Sequence, residues 1–147
     1  MSNPENYDSP QVKLMYEWGH GFNERNLDLI AKVLHKDFRY TTYPQSLGRP
    51  EQTREEWLEH IEGVMKLWTD HKSTIHSIID TPGKVIVHFT AKGQTTLGVE
   101  MIRESINIGH IVTDEDGSLK IKQIEDFTDS KTYFDFVQAI AAIKAKK

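Results

Sequence analysis

Cysteine is absent from this chain, and so are long apolar runs and extended clusters of one charge. Without cysteine the chain has neither disulfides nor a thiolate nucleophile. No apolar run approaches the ~20 residues that a membrane-spanning helix needs. The 18 basic and 22 acidic residues are interspersed and give a net charge of −4, whereas nucleic-acid binding needs a clustered basic face. We therefore expect neither nucleic acid nor a membrane as a partner.

Signals for targeting and for common cofactors are also missing. The first ten residues, MSNPENYDSP, are polar and lack the apolar segment of a signal peptide, so we expect a cytoplasmic protein. Residues 1–8 are expected to be a disordered lead-in and residues 9–147 a single domain. GxGxxG, GxxxxGK and GxSxG motifs do not occur, and no two histidines have the i, i+4 or H-x-H spacing of metal ligands. The sequence therefore predicts no cofactor and no metal.

What is present predicts helices first and strands afterwards. Ser9 and Pro10 have the character of an N-cap and a first helical residue, and Thr53 with Glu56 forms a capping box. Period-two alternation and turn residues predict strands in the second half. The expected elements are helices from Ser9 to about Glu24, from Asn26 through Leu34, from Thr53 to about Thr69 and from Asp129 or Ser130 onward, with strands at 37–43, 73–80, 85–92, 100–112 and 119–128.

This order indicates an α+β fold, with helices laid on one face of a mainly antiparallel sheet. A sheet of long hairpins twists and curls. Helices against its concave face leave a conical pocket, and clefts of this kind bind small ligands. We therefore expect a small hydrophobic ligand as partner. The sheet's uncovered outer face is expected to form a homodimer.

Three segments resemble the nuclear-transport-factor-2-like, or SnoaL-like, superfamily. They are FNERNLDLIAKVLHKDFRYTTYP, LGRPEQTREEWLEHI and the closing strand KIKQIEDFTD. The resemblance implies a cystatin-like α+β barrel, in which a curved, mixed sheet wraps around N-terminal helices to form a cone-shaped pocket. The superfamily includes polyketide cyclases, steroid isomerases, dehydratases and epoxide hydrolases, and also members that only bind or dimerise. The fold therefore does not decide the function.

Asp126 is the candidate catalytic residue, because it lies within an otherwise β-favouring apolar strand. In cyclases and limonene epoxide hydrolase, which this closing pattern resembles, the corresponding first Asp points into the cavity as acid or base. A carboxyl in an apolar pocket has a raised pKa, which suits proton transfer near neutral pH. The alternative is a surface or salt-bridged residue. Asp129, three residues later, is expected to cap the last helix.

Epoxide hydrolysis is not expected, because the Arg-x-Asp pair of that hydrolase is missing from the strand VIVHFTAK. Glu100 and Arg103 lie on the next strand at a different spacing. His110 shares a face with Ile106, Ile108 and Val112, so we expect it on the buried side, where it can pair with Asp126 as an acid–base couple. A core histidine bonded to a backbone carbonyl is the alternative. His88 is expected to face outward.

Aromatic and apolar residues from the helices and strands are the expected pocket walls. Tyr40 and Tyr43 differ from the others, because a buried tyrosine hydroxyl needs a partner and can polarise a substrate carbonyl. The expected substrate-binding residues are Tyr40, Tyr43, Trp18, Phe22, Trp57, Ile61, Met65, Phe89 and Met101.

Two functions remain open from the sequence. The first is a cofactor-independent lyase, isomerase or cyclase that acts by acid–base catalysis on a small hydrophobic carbonyl compound of polyketide, terpenoid or steroid type. The second is a non-catalytic module of the same fold that binds a small molecule or dimerises. An open cavity that contains Asp126 and His110 favours the enzyme, whereas a cavity filled by Trp18, Trp57 and Met65 favours the module.

Overall fold

The computed structural model describes residues 8–146, and the expected lead-in therefore lies outside the described residues except for Asp8. Four α-helices and six strands follow the expected order. They are α1 (Pro10–Asn23), α2 (Leu27–Ala31), β1 (Leu34–Tyr43), β2 (Gln52–Thr53), α3 (Arg54–Met65), β3 (Lys72–Thr81), β4 (Lys84–Gln94), β5 (Glu100–Thr113), β6 (Leu119–Thr128) and α4 (Ser130–Ala145), with a 3-10 turn at Gln45–Leu47. Within the described part of the chain, no helix is both long and apolar enough to span a bilayer.

The helix starts form as their cap residues predict. The Ser9 side chain accepts from the backbone N–H of Val12, with Pro10 in the first helical position. Thr53 and Glu56 form the complete capping box of α3, and Asp129 caps α4 by accepting from the backbone of Lys131 and Thr132. Each cap satisfies donors that the first helical turn leaves unpaired.

Three boundaries differ from the expectation. Helix α2 ends at Ala31, because Leu34 instead begins β1 and is buried in the core. Helix α3 ends at Met65, because Trp68 forms an isolated β-bridge with Thr95. The two-residue strand β2, which pairs with β1, lies in what was expected to be a loop.

The sheet is mixed and unclosed, in the order β2-β1-β6-β5-β4-β3. Strands β1 and β6 are parallel, whereas the other neighbours are antiparallel. Pairing β1 with β6 brings the first strand of the chain beside the last one. The three central strands β1, β6 and β5 therefore carry residues from both ends of the sequence.

A bulge in β6 controls which side chains face the helices. His110 pairs with Gln123 and Ile111 pairs with Ile121, so Lys122 is an extra residue without a partner on β5. An extra residue shifts the alternation of side chains by one position. Ile121 and Ile124 therefore both enter the core although they differ in parity.

Helix α1 packs against α2 at very short range. A Cβ placed on Gly21 would be 2.6 Å from Cγ1 of Ile30 and 3.1 Å from its backbone nitrogen. The glycine thus permits the contact between α1 and α2. Gly19 lies two residues earlier in α1, and a Cβ placed on it would have no such neighbour within 4 Å.

These two glycines give a matched pair of substitutions. Gly21→Ala is expected to lower the free energy of unfolding by about 1–3 kcal/mol, because the backbone of α2 must move. Gly19→Ala is expected to be neutral or to stabilise by up to about 1 kcal/mol through helix propensity. Urea denaturation of both variants measures the difference. Equal effects at the two positions would contradict the close packing of α1 on α2.

Candidate active site

Asp126 is almost completely buried on the concave face of the sheet. Strand β6 lies between β1 and β5, and beyond the bulge Ile124, Asp126 and Thr128 turn inward together. The Asp126 side chain is 1% exposed and lines a cavity between the sheet and the helices. A carboxyl group in this position requires polar partners.

Two side chains from neighbouring strands supply those partners. The Tyr40 hydroxyl of β1 donates to Oδ2 of Asp126 at 2.5 Å. Nη1 of Arg103, on β5, lies 3.6 Å from the same oxygen. The other oxygen, Oδ1, is buried and has no hydrogen-bond partner within residues 8–146. The protein thus fixes one oxygen of the carboxyl group, whereas the other has no partner among the described residues.

Asn107 completes the polar floor of the cavity. It is the cross-strand partner of Asp126, so the two side chains lie side by side on the inner face. Asn107 is 4% exposed. Its Oδ1 and the Nε of Arg103 are also buried without a partner among the described residues. We call Tyr40, Arg103, Asn107 and Asp126 the floor cluster.

Charge and burial determine the protonation of two members of this cluster. Burial raises the pKa of Tyr40 well above its ordinary value, and the adjacent Asp126 raises it further, so Tyr40 stays protonated as a donor. Burial lowers the pKa of Arg103, but Asp126 together with Tyr40 and Tyr133 outweighs this effect, and the net pKa is raised. Arg103 therefore stays cationic beside Asp126.

The walls of the cavity are mainly apolar. The cavity has a volume of about 230 Å³, larger than the engineered cavity of about 150 Å³ that holds benzene. Trp57 stacks between Trp18 and Tyr40, with ring-centroid distances of 5.0 and 5.2 Å. This stack holds the Tyr40 ring in place, with its hydroxyl on Asp126. The space suits a compact, largely apolar molecule.

A second polar group lies at the more exposed end of the cavity. Nη1 of Arg49 donates to the Tyr133 hydroxyl at 2.8 Å, and Nη2 lies 3.3 Å from Nε2 of His60. All three residues line the cavity. Burial and the charge of Arg49 lower the pKa of His60, so its imidazole is neutral at pH 7. We call Arg49, His60 and Tyr133 the rim cluster.

Most of the expected wall residues line the cavity. These are Trp18, Phe22, Tyr40, Trp57, Ile61, Phe89 and Met101. Tyr43 does not, because its position in β1 points it to the outer face, where it stacks on Phe127 at 4.6 Å. Met65 does not either. It is buried in the hydrophobic core.

The expected pairing of His110 with Asp126 is wrong. Nε2 of His110 instead lies 2.6 Å from Oε1 of Glu125, and His110 does not line the cavity. The buried face of β5 carries Arg103, Ser105, Asn107 and Gly109, and a Cβ on Gly109 would lie 2.7 Å from Sδ of Met15 in α1. The small and polar residues thus face the helices, while the aliphatic row that includes His110 faces outward. His88 also faces outward, as expected, and pairs with Glu104.

The residues that the sequence analysis missed are Arg103, Asn107 and the rim cluster. Arg103 and Asn107 share the inner face of β5 because they are four residues apart, and this pattern was visible in the sequence. It was masked by the apolar appearance of the opposite face. Among residues 8–146 no three His, Asp or Glu side chains are grouped to hold a metal ion.

The comparisons with known proteins agree with this architecture. The family model of the SnoaL-like domain matches residues 13–123, so the chain belongs to the SnoaL-like domain family. A comparison with curated proteins found no matching sequence.

Solved structures share the fold at low sequence identity. BvnE pinacolase from Penicillium brevicompactum is 16% identical with a TM-score of 0.80, covering 96% of this chain and 97% of its own. AusH from Aspergillus nidulans is 23% identical with a TM-score of 0.70, covering 87% and 88%. An NTF2-like protein from Burkholderia pseudomallei is 16% identical with a TM-score of 0.70, covering 87% and 97%. At these identities the similarity demonstrates the fold alone.

His71 connects the cavity to the pH dependence of stability. It lines the cavity, stacks on Trp68 with 4.4 Å between ring centroids, and contacts Asn23 through Nδ1. Burial lowers its pKa from 6.5 to about 4, and the charge of Arg103 adds to this effect. Between these pH values the unfolded chain binds the proton and the folded protein does not. His71 therefore makes the protein less stable as the pH falls from 6.5 to about 4.

Replacing His71 with Gln is expected to remove up to about 3 kcal/mol of this decline. Urea denaturation of both proteins at a series of pH values measures it as the difference in unfolding free energy between wild type and His71→Gln. A difference that stays constant across the window would show that His71 does not titrate in this way.

Proposed function

We propose that this protein is a cofactor-independent lyase, isomerase or cyclase that transfers a proton on a small hydrophobic carbonyl compound. The observation that carries the proposal is the Asp126 carboxyl group, which is 1% exposed, held through Oδ2 by Tyr40 and Arg103, and unpaired at Oδ1. Family membership supports an activity of the isomerase or dehydratase type.

In the proposed reaction, Oδ1 of Asp126 takes a proton from the carbon next to the substrate carbonyl. The negative charge that develops on the carbonyl oxygen is stabilised by the Arg103 guanidinium, whose Nε has no partner among the described residues. The amide of Asn107 orients the substrate beside Asp126. Tyr40 does not act as the carbonyl donor that its residue type suggested, since its hydroxyl is donated to Asp126. It instead holds Oδ2 in place.

The apolar walls strengthen these interactions. Charges and hydrogen bonds act more strongly where water is excluded. Return of the proton to a different carbon gives an isomer, whereas loss of a β-hydroxyl group, which takes up a proton and leaves as water, gives a dehydrated product. We propose that the substrate has a skeleton of polyketide, terpenoid or steroid type.

Asp126→Asn tests the proposed chemistry. We expect a fall in the rate of about 10² to 10⁴, because the amide cannot take up the proton. The rate is measured by NMR as exchange of the α-proton of small hydrophobic ketones, such as 2-tetralone, with D₂O. Circular dichroism and thermal melting check that the variant folds, and Tyr40→Phe provides a second variant that retains the carboxyl group.

Glu125→Gln is the matched control, since Glu125 is the next residue on β6 but pairs with His110 away from the cavity. It is expected to retain wild-type exchange, as is His110→Gln. Exchange that survives in Asp126→Asn would refute the mechanism. No exchange in the wild type with any ketone tested would favour the alternative, a module that binds its ligand without chemistry.

We further propose that a second copy of the chain covers the outer face of the sheet. His88, Ile106, Phe127 and Tyr43 are successive cross-strand partners and form a row over four strands. Ile106 and Phe127 are 42% and 46% exposed. His88 also pairs with Glu104, and His110 pairs with Glu125. These pairs give the outer face both hydrogen-bond donors and acceptors, so that it can be complementary to itself across a two-fold axis.

Light scattering during size-exclusion chromatography tests the dimer. The wild type is expected to elute as a dimer and Ile106→Glu as a monomer, because the new carboxylate would be buried in the interface without a partner. Lys13→Glu, on the exposed side of α1, alters the charge elsewhere and should remain dimeric. A wild-type monomer at high concentration would refute the interface.

A further inference from the structure

The charges of the cavity do not balance. Its charged lining residues in the described chain are Arg49, Arg103 and Asp126. Arg103 and Asp126 face each other at 3.6 Å, which leaves the charge of Arg49 without a counter-charge inside the cavity. The chain as a whole has a net charge of −4. The positive charge is thus local to the cavity, and it favours a ligand with one negative charge.

The rim cluster offers hydrogen-bond donors toward such a ligand. Because Arg49 donates to the oxygen of Tyr133, the Tyr133 proton is free to donate to another acceptor. Because Nη2 of Arg49 faces Nε2 of His60, the neutral imidazole carries its proton on Nδ1. No carboxylate within residues 8–146 forms an ion pair with Arg49. The forked guanidinium and a tyrosine hydroxyl together match the oxygens of a carboxylate.

The floor and rim clusters are close enough to affect each other. The charge of Arg49 lowers the pKa of Tyr40, in opposition to the larger effects of burial and Asp126, and Tyr133 acts on Arg103. Trp18 and Trp57 line the same cavity. One compact molecule can therefore contact the rim cluster, the aromatic walls and the floor cluster together.

We propose that the ligand is a small hydrophobic carboxylate, whose carboxylate group binds Arg49 and Tyr133 while its apolar body lies against the tryptophans and its reacting carbon approaches Asp126. The assignment of the reacting end rests on the proposed function, but the carboxylate site does not. A binding experiment therefore tests it without any catalytic step.

Isothermal titration calorimetry with trans-cinnamate and its neutral analogue trans-cinnamamide measures the contribution of the negative charge. The wild type is expected to bind cinnamate at least about tenfold more tightly. Arg49→Gln should weaken cinnamate binding by about 10- to 100-fold and change cinnamamide binding by no more than about twofold. Tyr133→Phe, which removes only the hydroxyl, should weaken cinnamate binding by about fivefold.

Arg39→Gln is the matched control, because it removes the same charge from an exposed position of β1 that does not line the cavity. It should bind both probes like the wild type. Equal affinity of the wild type for the two probes, binding of neither at millimolar concentration, or an equal loss of both in Arg49→Gln would overturn the inference. Asp126→Asn should still prefer cinnamate, so the carboxylate site stands or fails separately from the proposed catalysis.

Discussion

Burial of the Asp126 carboxyl group is the constraint on which the arrangement of the site depends. A carboxylate that is 1% exposed needs partners, and these come from strands on either side of β6. Tyr40 is placed by the parallel pairing of β1 with β6, and Arg103 by the antiparallel pairing of β5 with β6. The three central strands must therefore be in register before the carboxyl group is satisfied. The cavity and the sheet are formed by the same pairings.

Local signals in the sequence were sufficient to predict the order of the helices and the main strands, and the resemblance of the closing strand indicated that Asp126 faces the cavity. Cap residues such as Ser9 and Thr53 determine helix starts within one turn, and period two identifies strands. The register of β5 against Asp126 was not accessible in this way. Counted back from the pair Ile111–Ile121, a regular hairpin would place Ile106 opposite Asp126, but the extra residue Lys122 places Asn107 there. The bulge thus places Asn107 opposite Asp126, whereas His110 faces outward because β5 alternates regularly and its neighbours Gly109 and Ile111 are buried.

The rim cluster could not be predicted from the sequence, for a different reason. Arg49 comes from a loop, His60 from α3 and Tyr133 from α4, so they meet only through tertiary packing. No spacing rule connects such residues. The resulting cavity has polar groups at two ends and aromatic walls between them. This asymmetry gives a bound molecule one preferred orientation, which proton transfer at a single carbon requires.

The unclosed sheet leaves β3 as a ten-residue edge strand, and the outer edge of such a strand can serve as a template for pairing with other chains. His76 is an extra residue between the pairs Ile75–Phe89 and Ser77–His88, so β3 has a bulge of its own. A bulge twists an edge and interrupts the regular ladder that a neighbouring strand would extend. The irregularity at His76 is therefore of the kind that discourages pairing between the sheet edges of two copies.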